Sequence, residues 1–155
     1  MSWRCNASSW TSTKMAKFDI SLGDDLLKQF SYLAEHEQEM LGEMTQAGAK
    51  VVENNVRRNM PESLKASNFA KCLKVSKVYK TPSDDAINSK TMFSGYFINE
   101  DGKKTPAPLV ANVFEYGRSA SSKGGSVKAQ PFFRKSFVAS EIEQAMLQVQ
   151  AQYIK

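Results

Sequence analysis

Residues 24–61 read DDLLKQFSYLAEHEQEMLGEMTQAGAKVVENNVRRNMP, and this stretch decides the fold. Its apolar residues recur at steps of three and four, which is the spacing of an amphipathic helix. A polar cluster at residues 35–39 interrupts the spacing, so we predict a short helix, a bend or change of face near residues 34–38, and then a long helix. Pro61 ends the long helix, because proline disfavours helical geometry in the residue before it. The apolar positions are Leu26, Phe30, Leu33, Met40, Leu41, Met44, Val51, Val52 and Val56.

Charged residues stand at both ends of this helical stretch. Asp24 and Asp25 open it, where a carboxylate can cap free N–H groups and where negative charge suits the helix dipole. Arg57 and Arg58 lie in the last turn, where cations are favoured. Upstream, residues 18–22 (FDISL) alternate between apolar and polar side chains, which predicts a short strand.

Two β-rich segments follow the long helix. LKVSKVYKT (73–81) and KTMFSGYFIN (90–99) are rich in Val, Tyr and Phe, and they predict a pair of strands joined by the turn-rich residues 81–89. Gly95 inside the second segment indicates a bulge or a close approach of another backbone. NEDGKKTPAP (99–108) carries a turn signal and predicts a solvated loop.

Two further helices are predicted in the last third of the chain. LVANVFEYG (109–117) is amphipathic, and Gly117 is suited to end the helix with a positive φ. RSASSKGGSVK (118–128) has the composition of a flexible loop. Residues 130–155 predict a C-terminal helix with Pro131 in its first turn. We therefore predict an α+β fold, in which a long amphipathic helix packs on a small antiparallel sheet with shorter helices, including the C-terminal one.

The length of 155 residues indicates a single domain, which we place at residues 16–155 after a flexible N-terminal arm, residues 1–15. Residues 1–14 are polar and rich in Ser and Thr, which fits either a disordered arm or an upstream reading of the start codon, with Met15 as the alternative start. They contain no apolar core of a secretory signal. The chain also lacks the run of about 18 apolar residues that a membrane span requires.

Composition narrows the class of protein. The apolar fraction of 41% and charged fraction of 24% are those of a globular protein. The net charge of +5 favours association with nucleic acid or with an acidic protein surface, without choosing between them. Cys5 and Cys72 form no metal motif, so Cys72 is interpreted as a reduced core thiol and the chain as one made in a reducing cytosol.

Candidate catalytic groups are few. The single histidine, His36, lies among ordinary glutamates, which predicts a solvated surface residue rather than a metal ligand. The carboxylate pairs at residues 24–25 and 84–85 are explained by a helix start and a turn. No phosphate-binding, dinucleotide, nucleophile-elbow or zinc-protease motif is present. We therefore predict a protein that is not an enzyme and needs no cofactor or metal.

Two segments interleave aromatic and basic side chains. Lys74, Lys77 and Lys80 surround Tyr79, an arrangement that could neutralise phosphates and stack bases. The alternative is an edge strand that its lysines protect against unwanted pairing. Residues 132–137 (FFRKSF) are interpreted as the apolar face of the C-terminal helix.

VFEYGRSASSKGGSVKAQPFFRKSF (113–137) resembles the Glu-aromatic-Gly, polar loop, Ala-x-Pro-Phe pattern of the head–tail joining and tail-completion proteins of long-tailed bacteriophages, a group that includes relatives of minor tail protein Z. The long helix that closes on Arg57, Arg58 and Pro61 resembles the corresponding helix of that family. The resemblance covers about residues 16–155, with Arg118 where the family often has Thr or Ser. The matching positions are Phe114, Glu115, Tyr116, Gly117, Arg118, Pro131, Phe132 and Phe133.

The resemblance implies a structural protein of the virion, made in the host cytoplasm and located at the head–tail junction. Its partners would be copies of itself in a ring, connector or head-completion proteins, tail-terminator or tail-tube proteins, and DNA passing through the channel, with no membrane partner. The alternative is a small basic DNA-binding protein. In either case the expected contacts to DNA or to an acidic partner are Arg57, Arg58, Lys74, Lys77 and Lys80.

Overall fold

The longest element, α1 (Asp24–Asn59), is one unbroken helix in this computed structural model, which describes residues 23–98, 102–120 and 124–154. The predicted bend near residues 34–38 is therefore wrong. That segment contains no Pro or Gly, and its alanine, glutamates and glutamine are good helix formers. The polar cluster instead belongs to a part of α1, residues 24–39, whose side chains are almost all exposed.

The two ends of α1 follow the sequence signals, with one correction. Gly23 is the N-cap residue and no side chain caps the helix, so Asp24 and Asp25 act as first-turn charges rather than as caps. At the other end Met60 has φ −59° and ψ 136°, the extended geometry that Pro61 imposes on its predecessor. The predicted strand at residues 18–22 and the predicted arm at residues 1–15 lie outside the described residues.

The predicted antiparallel pairing is present as three separate two-stranded ladders. They join β1 to β4, β2 to β3 and β5 to β6. In the first ladder Leu73 pairs with Phe93, so both apolar side chains lie on the face that meets the core. Each long predicted strand is split in two, the second by Gly95, whose φ is +85°. The strands are β1 (Leu73–Val75), β2 (Tyr79–Lys80), β3 (Ile87–Asn88), β4 (Thr91–Phe93), β5 (Tyr96–Ile98) and β6 (Lys104–Pro106).

Strand β6 was not expected, because its residues belong to the segment predicted as a solvated loop. It pairs with β5 in the register Ile98–Lys104, Phe97–Thr105 and Tyr96–Pro106. Of its three residues only threonine favours a strand, whereas lysine and proline are depleted in strands. Residues 104–106 are extended because they pair with β5, and not because their own residues favour a strand.

The shorter helices are α2 (Glu62–Lys65), α3 (Ala107–Tyr116) and α4 (Ala139–Tyr153), with 3₁₀ turns at Asn68–Cys72 and Arg134–Ser136. The predicted start of the C-terminal helix near Pro131 is wrong, since α4 begins eight residues later. Phe137 and Val138 have ψ of 80° and 103°, which are not helical values. The hydroxyl of Ser136 donates to the carbonyl of Phe132 at 2.6 Å and closes the 3₁₀ turn instead.

One apolar core joins α1, α3 and the ladders. Phe69 lies at its centre without exposed surface, stacked on Phe93 at 4.7 Å between ring centroids and edge-on to Phe97 at 5.6 Å. Aromatic pairs in these geometries add to the stabilisation from buried area. The core residues are Val52, Val56, Met60, Leu64, Phe69, Leu73, Phe93, Ala107, Ala111 and Phe132.

Helix α4 packs antiparallel along the second half of α1. A Cβ at Gly48 would lie 3.1 Å from Ile142, so the small residue permits the close approach of the two helices. The amide of Asn55 donates to the Glu141 carboxylate at 2.7 Å. None of the described helices is both long and apolar enough to cross a membrane.

Replacing Phe69 with Ala is expected to lower the free energy of unfolding by about 3–5 kcal/mol, because it removes the central ring of the core and leaves a cavity. Urea denaturation of the two proteins measures the difference. Phe137→Ala is the matched control, since that ring is 55% exposed, and its loss is expected to stay below about 1 kcal/mol. Equal losses would contradict the placement of the core.

Candidate functional site

The two halves of the 113–137 motif meet at a buried carboxylate. Glu115, near the end of α3, is only 4% exposed. The N–H of Phe133 donates to its Oε2 at 2.9 Å, and the N–H of Arg134 donates to its Oε1 at 3.1 Å. The Arg134 side chain adds an Nε–H donor to Oε1 at 2.9 Å. One side chain therefore binds three donors of a chain segment almost twenty residues away.

These contacts determine the protonation state of Glu115. Burial by itself raises the pKa of a carboxyl group, but three hydrogen bonds and the Arg134 charge favour the ionised form. Their combined effect holds the pKa of Glu115 below its ordinary value of 4.5. The residue is therefore a charged structural link at neutral pH and not a proton donor.

Gly117 turns the chain immediately after α3. Its φ of 77° and ψ of 174° form a combination that is essentially restricted to glycine, which confirms the predicted helix end. A Cβ there would lie 2.9 Å from the backbone N of Ala129 and 2.9 Å from the backbone O of Val127. Beside it the N–H of Gln130 donates to the carbonyl of Phe114 at 2.7 Å. The returning chain thus lies directly against the end of α3.

The loop between the two halves is closed at its base. Arg118 and Val127 exchange a pair of backbone hydrogen bonds of 2.9 Å each. The Arg118 guanidinium also donates to the carbonyl of Gly125 at 3.1 Å. We refer to residues 118–127 as the motif loop. Its described residues next to the closing pair, 119–120 and 125–126, are exposed.

The aromatic residues of the motif have different environments. Phe132 is buried and lies 6.0 Å from Phe93 between ring centroids, whereas Phe133 is half-buried. Neither lies in a helix, so the interpretation of residues 132–137 as a helix face is wrong, although Phe132 does anchor the segment in the core. Tyr116 is exposed, and the Arg134 guanidinium lies 5.1 Å from its ring centre. Pro131 is half-buried before the turn.

The basic residues predicted from the sequence differ in their partners. Arg57 forms an ion pair with Glu53 at 2.6 Å and donates to the carbonyl of Ala70 at 3.0 Å. Arg58 lies 3.8 Å from the Glu141 carboxylate. Both arginines therefore have partners within the chain. The three remaining lysines, Lys74, Lys77 and Lys80, are exposed on and between β1 and β2.

From the sequence, Glu115 is expected to bridge to a basic group or to cap a nearby turn, and both contacts are present. The identity of its partner, Arg134, was not predicted. A glutamate on the apolar side of a helix signals a hidden cation or capped turn, and the structure contains both. Arg134 supplies the cation, and the 133–134 turn supplies the N–H groups. A sequence alone does not show which of the many cations lies close enough.

The described residues contain little that could perform chemistry. No group of three or more His, Cys, Asp or Glu side chains within them could hold a metal ion. His36 stacks on Tyr32 at 4.1 Å between ring centroids, and its Nδ1–H donates to the Tyr32 carbonyl, 2.9 Å away. The Cys72 thiol is half-buried at the edge of the core and points to the carbonyl of Tyr96 at 3.7 Å. The arrangement around Glu115 presents a loop and an exposed tyrosine at the surface.

Comparisons with known proteins identify no relative. No family model, no curated protein and no solved structure matches this chain.

Replacing Glu115 with Gln is expected to lower the free energy of unfolding at neutral pH by about 1–3 kcal/mol, because the ionised acceptor of three donors is lost. The lowered pKa means that this contribution is complete above the ordinary value of about 4.5 and disappears as the pH falls through the folded-state value. The difference between wild type and variant should therefore shrink in acid. Denaturation curves at a series of pH values measure it.

The matched control is Glu62→Gln, since Glu62 is paired with Lys65 but 87% exposed. That change should have little effect at any pH. A Glu115→Gln variant with unchanged stability at neutral pH would show that the carboxylate is not the link between the two motif halves.

Replacing Gly117 with Ala is expected to cost at least about 2 kcal/mol of stability, because the φ is unfavourable and the Cβ meets two backbone atoms. Gly95→Ala separates the two causes. Its φ is +85° but a Cβ there has nothing within 4 Å, so only about 1 kcal/mol should be lost. Thermal or urea denaturation of both variants gives the comparison. Equal losses would mean that the segment at 127–129 does not lie against Gly117.

Proposed function

We propose that this protein is a structural subunit of the head–tail junction of a long-tailed bacteriophage or prophage, acting in neck assembly or tail completion as a ring of identical copies. The proposal rests on the resemblance of residues 113–137 and of α1 to that protein family. In this reading the chain joins the tail to the connector by contact and carries out no reaction.

One observation carries the proposal furthest. Glu115 binds both N–H groups of the 133–134 turn. The two halves of the 113–137 motif, before and after the loop, therefore form a single frame. Gly117 and the Arg118–Val127 pair complete this frame, and the motif loop extends from it. A loop on a rigid frame can change conformation on binding at low cost to the rest of the fold.

The exposed apolar side chains of the described residues also support a role as a subunit of an assembly. Large apolar side chains are exposed on α1, α3, α4 and β5, whereas isolated soluble proteins keep contiguous apolar patches small. Such side chains are what the centre of an assembly interface uses. They include Leu26, Leu27, Phe30, Tyr96, Ile98, Leu109, Tyr116, Phe137, Leu147 and Ile154.

A second candidate function is DNA binding by the exposed lysines. Lys74, Lys77 and Lys80 have no ion-pair partner among the described residues, which favours this candidate, whereas the pairing of Arg57 and Arg58 argues against their part in it. DNA binding would be steeply weakened by salt, because each neutralised phosphate releases counterions. A titration of the protein with duplex DNA at two salt concentrations distinguishes the candidates.

The function is tested in a phage or prophage from which this gene has been deleted. Plasmid-borne protein should restore infectious particles, and the protein should be found in purified virions. Without it, DNA-filled heads and separate tails should accumulate in electron micrographs. Normal particles from the deleted phage would overturn the proposal.

A shortened loop tests the part played by the motif loop. Residues 119–126 are replaced with Asn-Gly, because Arg118 and Val127 already exchange both backbone hydrogen bonds and a two-residue turn can join such a pair. The melting temperature should remain near that of the wild type, while particle assembly is lost. A variant that folds and still restores infectious particles would show that the loop is not a contact of the assembly.

A further inference from the structure

The first part of α1 extends beyond the other elements that the structure describes. Helix α4 runs back along α1 only as far as Glu43, whose carboxylate accepts a hydrogen bond from the Tyr153 hydroxyl at 3.0 Å. Residues 24–39, which we call the projecting half, continue for about 24 Å at the helical rise of 1.5 Å per residue. Their side chains are exposed, with Leu33 and His36 half-buried.

An apolar stripe runs along the projecting half. Leu26, Phe30, Leu33 and Glu37 are spaced by four, three and four residues and so share one face of the helix, with Leu27 at its border. Leu27 is 54% exposed and Phe30 is 58% exposed. Apolar side chains of this size in a row are unfavourable in water, which indicates a surface that is covered in the working state.

The projecting half is also strongly acidic. Residues 24–39 contain five carboxylates and one lysine, a net charge of −4, whereas residues 40–155 contain 17 cations and ten carboxylates, a net charge of +7. The two parts of the chain therefore carry opposite net charges. Opposite potentials on two parts of one molecule favour association of one copy's acidic part with another copy's basic part.

The other end of the molecule offers a surface of the matching kind. Lys71, Lys74, Tyr96 and Ile98 line one shallow cleft, and Lys104 lies 5.8 Å above the Tyr96 ring. We call these five residues the basic face. Tyr96 is 65% exposed and Ile98 is 59% exposed, so the face combines apolar contact area with positive charge. Among the described residues no carboxylate lines the cleft.

The projecting half and the basic face cannot meet within one copy. The basic face lies beside the 3₁₀ turn Asn68–Cys72, which is bound to the far end of α1 through the contact between Arg57 and the Ala70 carbonyl. Helix α1 is about 54 Å long, and the projecting half is its opposite end. A contact between two different surfaces of a subunit joins copies head to tail, and such contacts form a ring when the rotation from copy to copy closes.

We infer that the projecting half of α1 in one copy docks on the basic face of the next copy. The stripe of Leu26, Phe30 and Leu33 would cover Tyr96 and Ile98, and Glu37 would face the lysines. This inference deepens the proposed function and rests on its ring of identical copies. The DNA candidate uses part of the same face, so the two are separated by experiment.

Sedimentation velocity of the full chain over a concentration series measures the association. Glu37→Lys should weaken it by about tenfold or more, because an attractive contact becomes repulsive. Glu35→Lys is the matched control, since it makes the same charge change two residues away on the other side of the helix. On the basic face, Lys71→Glu with Lys74→Glu should also weaken association, whereas Lys50→Glu with Lys80→Glu should not.

Mixing gives the decisive result. Each charge-reversed protein alone places like charges at the contact, but in a mixture every helix meets a face of opposite sign. The mixture of Glu37→Lys with Lys71→Glu/Lys74→Glu should therefore recover the mass of the wild-type assembly. A zero-length carboxylate–amine cross-linker applied to mixed isotope-labelled and unlabelled protein should join Glu37 to the lysines of the basic face between different copies.

Several outcomes would overturn the inference. The first is a wild-type chain that stays monomeric at about 1 mM and forms no cross-links between copies. The second is association that survives both charge reversals. The third is cross-linking of Glu37 only within its own chain, which would mean that another segment, such as residues 1–22, covers the stripe. Lysine reversals that abolish DNA binding but leave the mass unchanged would assign the face to DNA. The phage deletion test does not depend on any of these results. Failure of the docking inference can therefore be distinguished from failure of the proposed function.

Discussion

The ionised carboxylate of Glu115 is the interaction on which the second half of the chain depends. A buried charge is tolerated only when its acceptor sites are filled, and here the 133–134 turn and the Arg134 side chain fill them. The turn is thereby placed so that Phe132 enters the core. Ser136 in the same turn accepts hydrogen bonds from Asn55 at its carbonyl and Asn59 at its hydroxyl. One carboxylate therefore connects α3 to α1 through a segment with almost no regular structure.

The sequence predicted those features that depend on residues close together in the chain. The helical spacing of α1, its end before Pro61 and the glycine that ends α3 each depend on neighbours within one turn of helix, and each was predicted correctly. Errors occurred where distant residues decide the outcome. Lys104–Pro106 becomes a strand because β5 lies beside it, and residues 131–138 contain a single 3₁₀ turn although their sequence permits an α-helix. A basic group or a turn was predicted as the partner of Glu115, but Arg134 was not identified as that group.

The described surface divides into parts with different chemistry. The motif loop is framed by backbone hydrogen bonds and carries small polar residues, which suits an adaptable contact. The basic face and the projecting half carry exposed apolar side chains with opposite charge, which suits a contact of fixed geometry. A subunit with both kinds of surface can bind its own copies through one and a different partner through the other.

The exposed half of α1 has a consequence for the thermodynamics of assembly. Helices of about 12–15 residues are marginal in water when nothing packs on them, and residues 24–39 form a segment of about that length. Amide hydrogens before Gly42, the first buried position of α1, should therefore exchange with solvent far faster than those after it, within a single continuous helix. Ordering these turns on association would cost conformational entropy, so a contact between copies through residues 24–39 would be weaker than the same contact made by a preformed helix.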